Sequence, residues 1–320
     1  YRLMIRAGLK PEGIHRVFNT VSPIDFPSLK TPTADRILYP VRAIRRKNIG
    51  EAILVSLFFK NRETLAITQP PNSPADFPGY ENWKRFVDAN SLNVEFEAGM
   101  TRDFAELVQT SRFLITTSIT EGFGFSYLEP WLGDKLLWGR KLPEVCADFE
   151  SNGIRLDHLY TNLKVPLNWI DPEKLYLNWS ACVRKNMELF HYPLDDKEIR
   201  ASFAALTVND QVDFGVLNEH FQKKIISKVI TGKAAAEQLL RLNPFLVAPG
   251  EVSNPDQLIE NNRRNVQKHY NRTIYKKVLM EVYRRVAKVK IRHRIDKMAL
   301  LRHFLNLKQF SLLKWCDDAE

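Results

Sequence analysis

The chain has 320 residues and a formal net charge of +10; 44% of its residues are hydrophobic and 26% are charged. This composition excludes wholesale disorder. The longest apolar run, residues 52–59, is shorter than the roughly 20 residues that span a bilayer. The length allows two ordinary domains, or one α/β domain with a large extension.

The positive charge is concentrated near the C-terminus. Residues 276–303 contain ten Lys or Arg and two acidic residues, so this window carries +8 of the net charge and all other residues together carry +2. The charge is therefore a local feature, and the body of the protein does not have the composition of a nucleic-acid-binding protein.

The cysteines and histidines predict no metal centre. The three cysteines, Cys146, Cys182 and Cys316, form no CxxC pair or Cys/His cluster, and the seven histidines lack paired-ligand spacing. Neither a disulfide framework nor a structural zinc site is predicted, and we expect a reducing, cytoplasmic compartment. Because the chain begins with Tyr and has no signal-like segment, we expect a piece of a longer protein.

Short β-rich runs alternate with amphipathic stretches of helix length in the first two-fifths of the chain. This alternation predicts an α/β fold, with βαβ units that build a doubly wound, Rossmann-like parallel sheet. The candidate strands are residues 36–41, 63–69, 93–97, 112–118 and 135–138, and the helical stretches lie near 48–60, 79–91, 101–110 and 123–132.

Helices dominate after about residue 170. A long helix beyond Pro255 carries apolar residues at mostly every fourth position as far as Val286. Residues 171–320 are therefore predicted to be a mainly helical extension. Shorter helices, each bounded by Pro, Gly or Asp, are predicted at 171–189, 195–206, 214–230 and 233–242.

The first chemical motif is Arg42-x4-Lys47, between the first predicted strand and the next helix. Two cations at the carboxyl edge of a parallel sheet, beside a helix N-terminus, suit the binding of a diphosphate. A solvated cluster of surface charges is the alternative interpretation.

The second motif places Glu121 and Glu129 around a Gly-x-Gly turn after the fourth predicted strand. Glycines let the backbone approach a ligand and expose N–H donors at a helix start. Carboxylates accept hydrogen bonds from sugar or ribose hydroxyls. Alternatively, Glu121 caps the helix and Glu129 faces solvent.

Two other nucleotide-binding classes are not indicated. The sequence has no GxxxxGK[ST] motif, which argues against a P-loop protein. The pair Gly122 and Gly124 lacks the third glycine of the dinucleotide fingerprint, which argues against a dehydrogenase.

Three motifs follow one another on the predicted sheet. They are Arg42-x4-Lys47, then Glu121-Gly122-Phe123-Gly124-x4-Glu129, then Leu142-Pro143-Glu144-Val145 in a loop after the next strand. In this order they resemble the nucleotide-sugar-binding half of GT-B glycosyltransferases. The likeness is to retaining family 4, the "glycosyl transferases group 1" type; it covers residues 14–145 well and continues weakly to the last long helix.

The resemblance implies retaining transfer of a hexosyl group from a nucleotide-diphosphate sugar to an unidentified acceptor, without a metal or other cofactor. It implies that Arg42 and Lys47 neutralise the donor diphosphate and that Glu121 lies near the hydroxyls of the transferred sugar, and these three are the implied catalytic residues. Glu129 would hold the nucleotide ribose. The backbone N–H groups expected to contact sugar and phosphate oxygens are those of Gly122, Phe123, Gly124 and Phe125.

The resemblance also implies a domain organisation. Residues 1–35, with Pro23, Pro27 and Pro32, would be the tail of an N-terminal acceptor domain and its linker. Residues 36–170 would form the donor-binding domain, and residues 171–320 the helical extension. The acceptor domain would then lie on the same polypeptide or on a partner chain.

Five residues depart from the family pattern. Pro130 is expected to kink or shorten the helix in which it lies. Trp131 and Trp138 would either narrow the pocket or fill the core. Arg140 and Lys141 add positive charge that could favour a phosphorylated or acidic ligand, or be plain surface charge.

The alternative function is a non-catalytic scaffold that docks through a basic helix, residues 276–303, on an acidic partner, anionic lipid or nucleic acid. Nucleic acid is the least favoured of these partners, and membrane contact is a weak expectation. The helix is amphipathic, so one face must be covered, and the simplest expectation is that its own domain or a missing domain covers it.

Overall fold

The structure, a computed structural model, describes residues 2–24 and 35–307. Pro27, Pro32 and Cys316, which entered the sequence interpretation, lie outside these ranges.

A five-stranded parallel sheet has the strand order β3-β2-β1-β4-β5. The chain adds strands on one side of β1 and then returns to add strands on the other side, which is the order of doubly wound Rossmann-like sheets. The predicted α/β class is therefore confirmed. The strands are β1 Arg36–Arg42, β2 Thr64–Gln69, β3 Val94–Glu95, β4 Ser111–Thr116 and β5 Leu137–Gly139.

Helices accompany the sheet, and further helices follow it. A second, two-stranded antiparallel sheet joins β6 (Lys164–Pro166) to β7 (Gln211–Asp213). The helices are α1 Arg2–Arg6, α2 Ile49–Ser56, α3 Phe77–Ala89, α4 Ala98–Thr101, α5 Phe104–Thr110, α6 Glu129–Leu132, α7 Pro143–Ser151, α8 Pro172–Leu189, α9 Asp196–Leu206, α10 Glu219–Thr231, α11 Lys233–Leu242, α12 Pro255–His269, α13 Arg272–Lys288 and α14 Lys297–Phe304.

The apolar run of residues 52–59 is explained by the burial of α2. This helix packs against β2 and α10, and residues 52–55 are completely buried. One hydrophobic cluster extends from the sheet to the later helices, through Trp179 of α8, Phe221 of α10 and Val266 of α12. The core therefore runs without interruption across residue 170.

The expected single helix beyond Pro255 is wrong. The chain forms α12 and α13 instead, because Tyr270 leaves the helical conformation and Asn271 caps α13 by accepting a hydrogen bond from the N–H of Ile274 at 2.9 Å. The Tyr270 carbonyl accepts a bond from the Val21 N–H at 2.9 Å. An asparagine that caps a new helix competes effectively with continuation of the old one.

The expected basic helix over residues 276–303 is also wrong. Helix α13 ends at Lys288, residues 289–296 are not helical, and α14 begins at Lys297. No described residue of α13 is buried, so the expected cover for its apolar face is not found within the described part of the chain.

The motif Leu142–Val145 is not simply a loop. Helix α7 begins at Pro143, where a proline suits the first turn because the N–H that it lacks would have no helical partner. No described helix has the length and apolar character that crossing a membrane requires.

Candidate functional site

The carboxyl ends of β1 and β4 lie side by side at the point where the strand order reverses. Connections from these two strands leave toward opposite sides of the sheet, and in open α/β sheets a crevice lies between the loops that follow such strands. Ligands of open α/β sheets bind at this position. The first two sequence motifs belong to these two loops.

The loop after β1 is a single 3-10 turn, Arg45–Lys47, followed by Asn48 in the left-handed conformation with φ 53°. The Tyr39 hydroxyl donates to the Lys47 carbonyl, and burial of this phenol raises its pKa to about 12. The Thr117 hydroxyl lies 3.1 Å from the carbonyl oxygens of both Lys47 and Asn48. We call the loop after β1, with Arg45, Arg46 and Lys47, the cationic loop. Its backbone is thus held by the loop after β4.

Asn48 connects this loop to the later helices. Its side-chain amide donates to the Glu51 carboxylate at 2.8 Å and to the Thr117 carbonyl at 3.2 Å, and its side-chain oxygen accepts from Gln222 of α10 at 2.9 Å. Asn48 is 2% exposed, so these bonds satisfy a polar group that would be costly to bury alone.

Arg140 is a buried structural residue, and the expectation that it adds charge for a ligand or for the surface is wrong. Its guanidinium donates to Glu51 at 2.9 and 2.7 Å, to Asp213 at 2.8 and 2.7 Å, and to the Thr161 carbonyl at 2.9 Å. All five of its N–H groups are used. Tyr160 donates to the same Glu51 carboxylate at 2.7 Å.

Lys141 is likewise paired, to Glu150 of α7 at 2.5 Å. Trp131 and Trp138 are 0% and 2% exposed and fill the core. Pro130 lies in the first turn of α6, which is only four residues long, in agreement with the expected shortening of this helix.

Glu121 is bound to two cations of the loop after β1. Its carboxylate forms ion pairs with Lys47 and, at 2.9 Å, with Arg46, and its side chain is only 8% exposed. The capping alternative for Glu121 is therefore wrong. The structure brings Lys47 and Glu121 together across the crevice, as expected for two residues of one site.

Arg46 was missed by the sequence interpretation. It lies within the Arg42-x4-Lys47 motif, next to Lys47, and the adjacent Arg45 carries the same charge. The available signal was a cluster of three consecutive cations, which does not tell which side chains turn toward Glu121. In the structure Arg45 pairs with Asp76 at 3.8 Å.

The Gly-x-Gly turn has different requirements at its two glycines. Gly124 has φ 93°, and a Cβ there would lie 2.7 Å from the Val145 side chain, whereas a Cβ on Gly122 would meet no atom within 4 Å. None of the backbone N–H groups of Gly122, Phe123, Gly124 and Phe125 donates to another described residue.

Phe123 anchors this turn to the core. Its ring lies 5.6 Å from that of Phe149, 6.2 Å from that of Tyr270 and 6.4 Å from that of Phe18. The neighbouring Phe125 is 40% exposed. The turn therefore presents backbone donors on a fixed support.

Glu129 is half-buried at the start of α6, and no described residue donates a hydrogen bond to its carboxylate. Burial raises the pKa of this carboxyl above its ordinary 4.5, and the charge of Lys47 acts in the opposite direction. The alternative that Glu129 simply faces solvent is therefore wrong. It is a carboxylate near Lys47 that accepts no hydrogen bond within the described part of the chain.

Arg42 ends β1 opposite Gln69 of β2 and is exposed. Its side chain makes no ion pair or hydrogen bond with another described residue. The structure thus brings together Lys47, Glu121 and Arg46, whereas Arg42 is exposed at the end of β1 and pairs with no described residue. Among the described residues, no group of three or more His, Cys, Asp or Glu could hold a metal ion.

Comparisons with known proteins agree with the motif pattern. No family model matches the chain. The chain is 29% identical over 199 residues to mannosylglucosyl-3-phosphoglycerate synthase of Petrotoga mobilis, in an alignment that covers 60% of this chain and 37% of that protein. The chain thus spans little more than a third of the length of this curated relative.

Two solved structures align over most of the chain. The crystal structure of TarM gives a TM-score of 0.42 and 13% identity over 84% of this chain and 38% of that one. The structure of the GtfA/B complex gives a TM-score of 0.41 and 11% identity over 85% of this chain and 39% of that one. The predicted resemblance of this chain to glycosyltransferases is confirmed by the sequence match to the Petrotoga mobilis synthase.

Proposed function

We propose that this chain supplies the donor-binding domain of a retaining glycosyltransferase, which moves a hexosyl group from a nucleotide-diphosphate sugar to an unidentified acceptor. The observation that carries the proposal is the pairing of Lys47 with Glu121 across the crevice where the strand order reverses, with Glu129 near Lys47. Cations for a diphosphate and carboxylates for hydroxyls then share one crevice. The relative from Petrotoga mobilis is a mannosylglucosyl-3-phosphoglycerate synthase, which supports a role in sugar transfer.

The proposed chemistry needs positive charge where the sugar leaves the nucleotide. Negative charge grows on the diphosphate as its bond to the sugar breaks, and fixed cations such as Lys47 and Arg42 would stabilise that charge without a metal ion. The free N–H groups of the Gly122–Phe125 turn would add further donors to sugar and phosphate oxygens.

The carboxylates would orient the donor. Glu121 would accept hydrogen bonds from hydroxyls of the transferred sugar, and Glu129 from the two ribose hydroxyls, because a carboxylate offers two acceptor oxygens to paired donors. The acceptor would be bound by a further domain, on the same polypeptide or on a partner chain, and the protein would act in the cytoplasm.

Isothermal titration calorimetry with UDP, GDP and ADP tests the proposal. We expect one of the three to bind, and we expect Lys47→Ala to weaken that binding by about tenfold or more, because a charge-assisted hydrogen bond contributes about 1.5–3 kcal/mol. Lys141→Ala, which removes a cation paired to Glu150 rather than to Glu121, is the matched control. Failure of all three nucleotides to bind at millimolar concentration would contradict the donor site.

A second candidate function rests on α13. Four of its apolar side chains, Tyr275, Val278, Tyr283 and Val286, are 37–58% exposed, and the opposite face is strongly basic. A helix of this kind binds anionic lipid surfaces, since its apolar side chains enter the interface and its cations meet the phosphate head groups. We propose an anionic membrane surface as its occupant.

Sedimentation with lipid vesicles tests this second function. We expect binding to vesicles rich in phosphatidylglycerol and loss of that binding on Arg284→Gln combined with Arg285→Gln. Equal binding to vesicles of phosphatidylcholine alone, or no binding to either, would refute a charge-directed membrane contact.

A further inference from the structure

We propose that Arg46 is a third phosphate-binding cation, and that Glu121 is the counter-ion that occupies Arg46 and Lys47 until a nucleotide diphosphate replaces it. The inference rests on the proposed donor site. It assigns a role to a residue outside the Arg42, Lys47 and Glu121 set that the resemblance implies.

Arg46 is held in position by the loop after β4. The Ile119 N–H donates to the Arg46 carbonyl at 3.0 Å, and the Arg46 guanidinium reaches the Glu121 carboxylate at 2.9 Å. A longer contact of 3.4 Å joins the guanidinium to the Thr120 carbonyl. Backbone and side chain of Arg46 are therefore both fixed at the crevice, beside Lys47.

Arg46 and Lys47 both have N–H donors that make no hydrogen bond to a described residue. The Arg46 side chain is 35% exposed, and its hydrogen bonds to described residues all come from one guanidinium nitrogen, Nη1. Lys47 is 14% exposed, and a lysine ammonium has three donors. A planar guanidinium can bind two phosphate oxygens at once, which suits it to a diphosphate.

Glu121 has to be paired in the ligand-free site because its side chain is 8% exposed. A buried carboxylate without a cation or hydrogen bonds is costly. A diphosphate carries more negative charge than one carboxylate and competes for the same cations. When the diphosphate binds, the hydroxyls of the donor sugar can supply Glu121 with the hydrogen bonds that it loses.

This exchange makes Glu121 a specificity residue. Free nucleoside diphosphate takes the cations but gives Glu121 no hydroxyls in return, whereas the intact nucleotide sugar does both. We therefore expect the Glu121 charge to penalise the product diphosphate relative to the donor, which favours release of the product.

Calorimetry with the nucleoside diphosphate that binds, and with the matching monophosphate, tests the role of Arg46. Arg46→Ala should weaken diphosphate binding by about tenfold or more and monophosphate binding by less, and Arg46→Lys should restore part of the loss. Arg45→Ala is the matched control, because Arg45 is the next residue and pairs with Asp76 instead; it should change the affinity by less than about twofold.

Glu121→Gln tests the exchange. Loss of the competing charge should tighten diphosphate binding severalfold while the preference for the nucleotide sugar over the diphosphate falls. Equal effects of Arg46→Ala and Arg45→Ala would refute the role of Arg46, and weaker diphosphate binding by Glu121→Gln would refute the exchange. Both results leave the donor site intact, whereas a wild-type chain that binds no nucleotide refutes the proposed function itself.

Discussion

Among the site residues, Glu129 is the one whose surroundings most clearly disfavour the charged form of its side chain. It is half-buried, it receives no hydrogen bond from a described residue, and its pKa is raised by burial. An ionised carboxylate in such a position lowers the stability of the ligand-free protein. A role of this carboxylate in accepting hydrogen bonds from ligand hydroxyls would explain why the loss of stability is tolerated.

The raised pKa predicts opposite effects of Glu129→Gln on stability and binding. The native state holds the Glu129 proton more tightly than the unfolded state does, so the destabilisation is complete above the raised pKa and disappears as the pH falls below 4.5. At neutral pH the variant should therefore unfold at higher urea concentration. It should also bind the nucleoside diphosphate roughly tenfold more weakly, because ribose loses a charged acceptor.

The pH dependence provides the control. Wild-type affinity for the nucleotide should decline on acidification at a higher pH than an ordinary carboxyl would cause, and this part of the decline should be missing from Glu129→Gln. Identical pH profiles of the two proteins, measured by calorimetry, would contradict the assignment of Glu129 to the ribose.

In the turn between β4 and α6, the two glycines differ in backbone conformation and in the space around them. Gly124 has a left-handed backbone and no room for a methyl group beside Val145, whereas Gly122 has open space. We expect Gly124→Ala to lower the free energy of unfolding by about 1–3 kcal/mol, since it adds backbone strain and a clash. Gly122→Ala should change it by less than about 0.5 kcal/mol.

Urea denaturation of the two variants distinguishes these expectations. Equal stability of Gly122→Ala and Gly124→Ala would show that the turn does not depend on the conformation of Gly124. Because the N–H groups of the turn have no acceptor among the described residues and are proposed to bind the donor, Gly124→Ala should also weaken nucleotide binding even where the protein remains folded.

Sequence patterns predicted the sheet well because their signals are local. Strands β1, β2 and β4 were predicted to within two residues at each end, since each is a short β-rich run bounded by turn residues. The break between α12 and α13 was not predicted, because apolar residues at every fourth position continue across it. Its cause is the cap at Asn271 and the burial of Tyr270 among distant aromatic rings.

One part of the candidate site, the pair of Lys47 and Glu121, was predictable for the same reason. Lys47 and Glu121 follow adjacent strands, so strand order alone brings them together. The burial of Arg140 depends on Asp213, which is 73 residues away in sequence, and nothing near Arg140 signals that partner. Long-range pairing of this kind is determined by the tertiary fold.

The cluster of Glu51, Arg140 and Asp213 connects parts of the molecule that are distant in sequence. Glu51 lies on α2, Arg140 follows β5, and Asp213 ends β7, so one guanidinium joins the parallel sheet to the region that precedes α10. The same Glu51 carboxylate accepts from Asn48, whose backbone is continuous with Lys47. The position of the cationic loop therefore depends on residues far from the crevice.

We expect Arg140→Met to lower the free energy of unfolding by about 3–5 kcal/mol, because it leaves the completely buried Glu51 carboxylate without its cation. Glu51→Gln in the Arg140→Met background should recover part of that loss, since it removes the uncompensated charge. Lys141→Ala, which breaks a partly exposed ion pair at the next position, should cost less than about 1 kcal/mol.

Urea denaturation would contradict the central role of the cluster if Arg140→Met were no more destabilising than Lys141→Ala. If the cluster does position the cationic loop, then folded Arg140→Met protein should also bind the nucleoside diphosphate more weakly, although Arg140 itself is buried out of reach of the ligand.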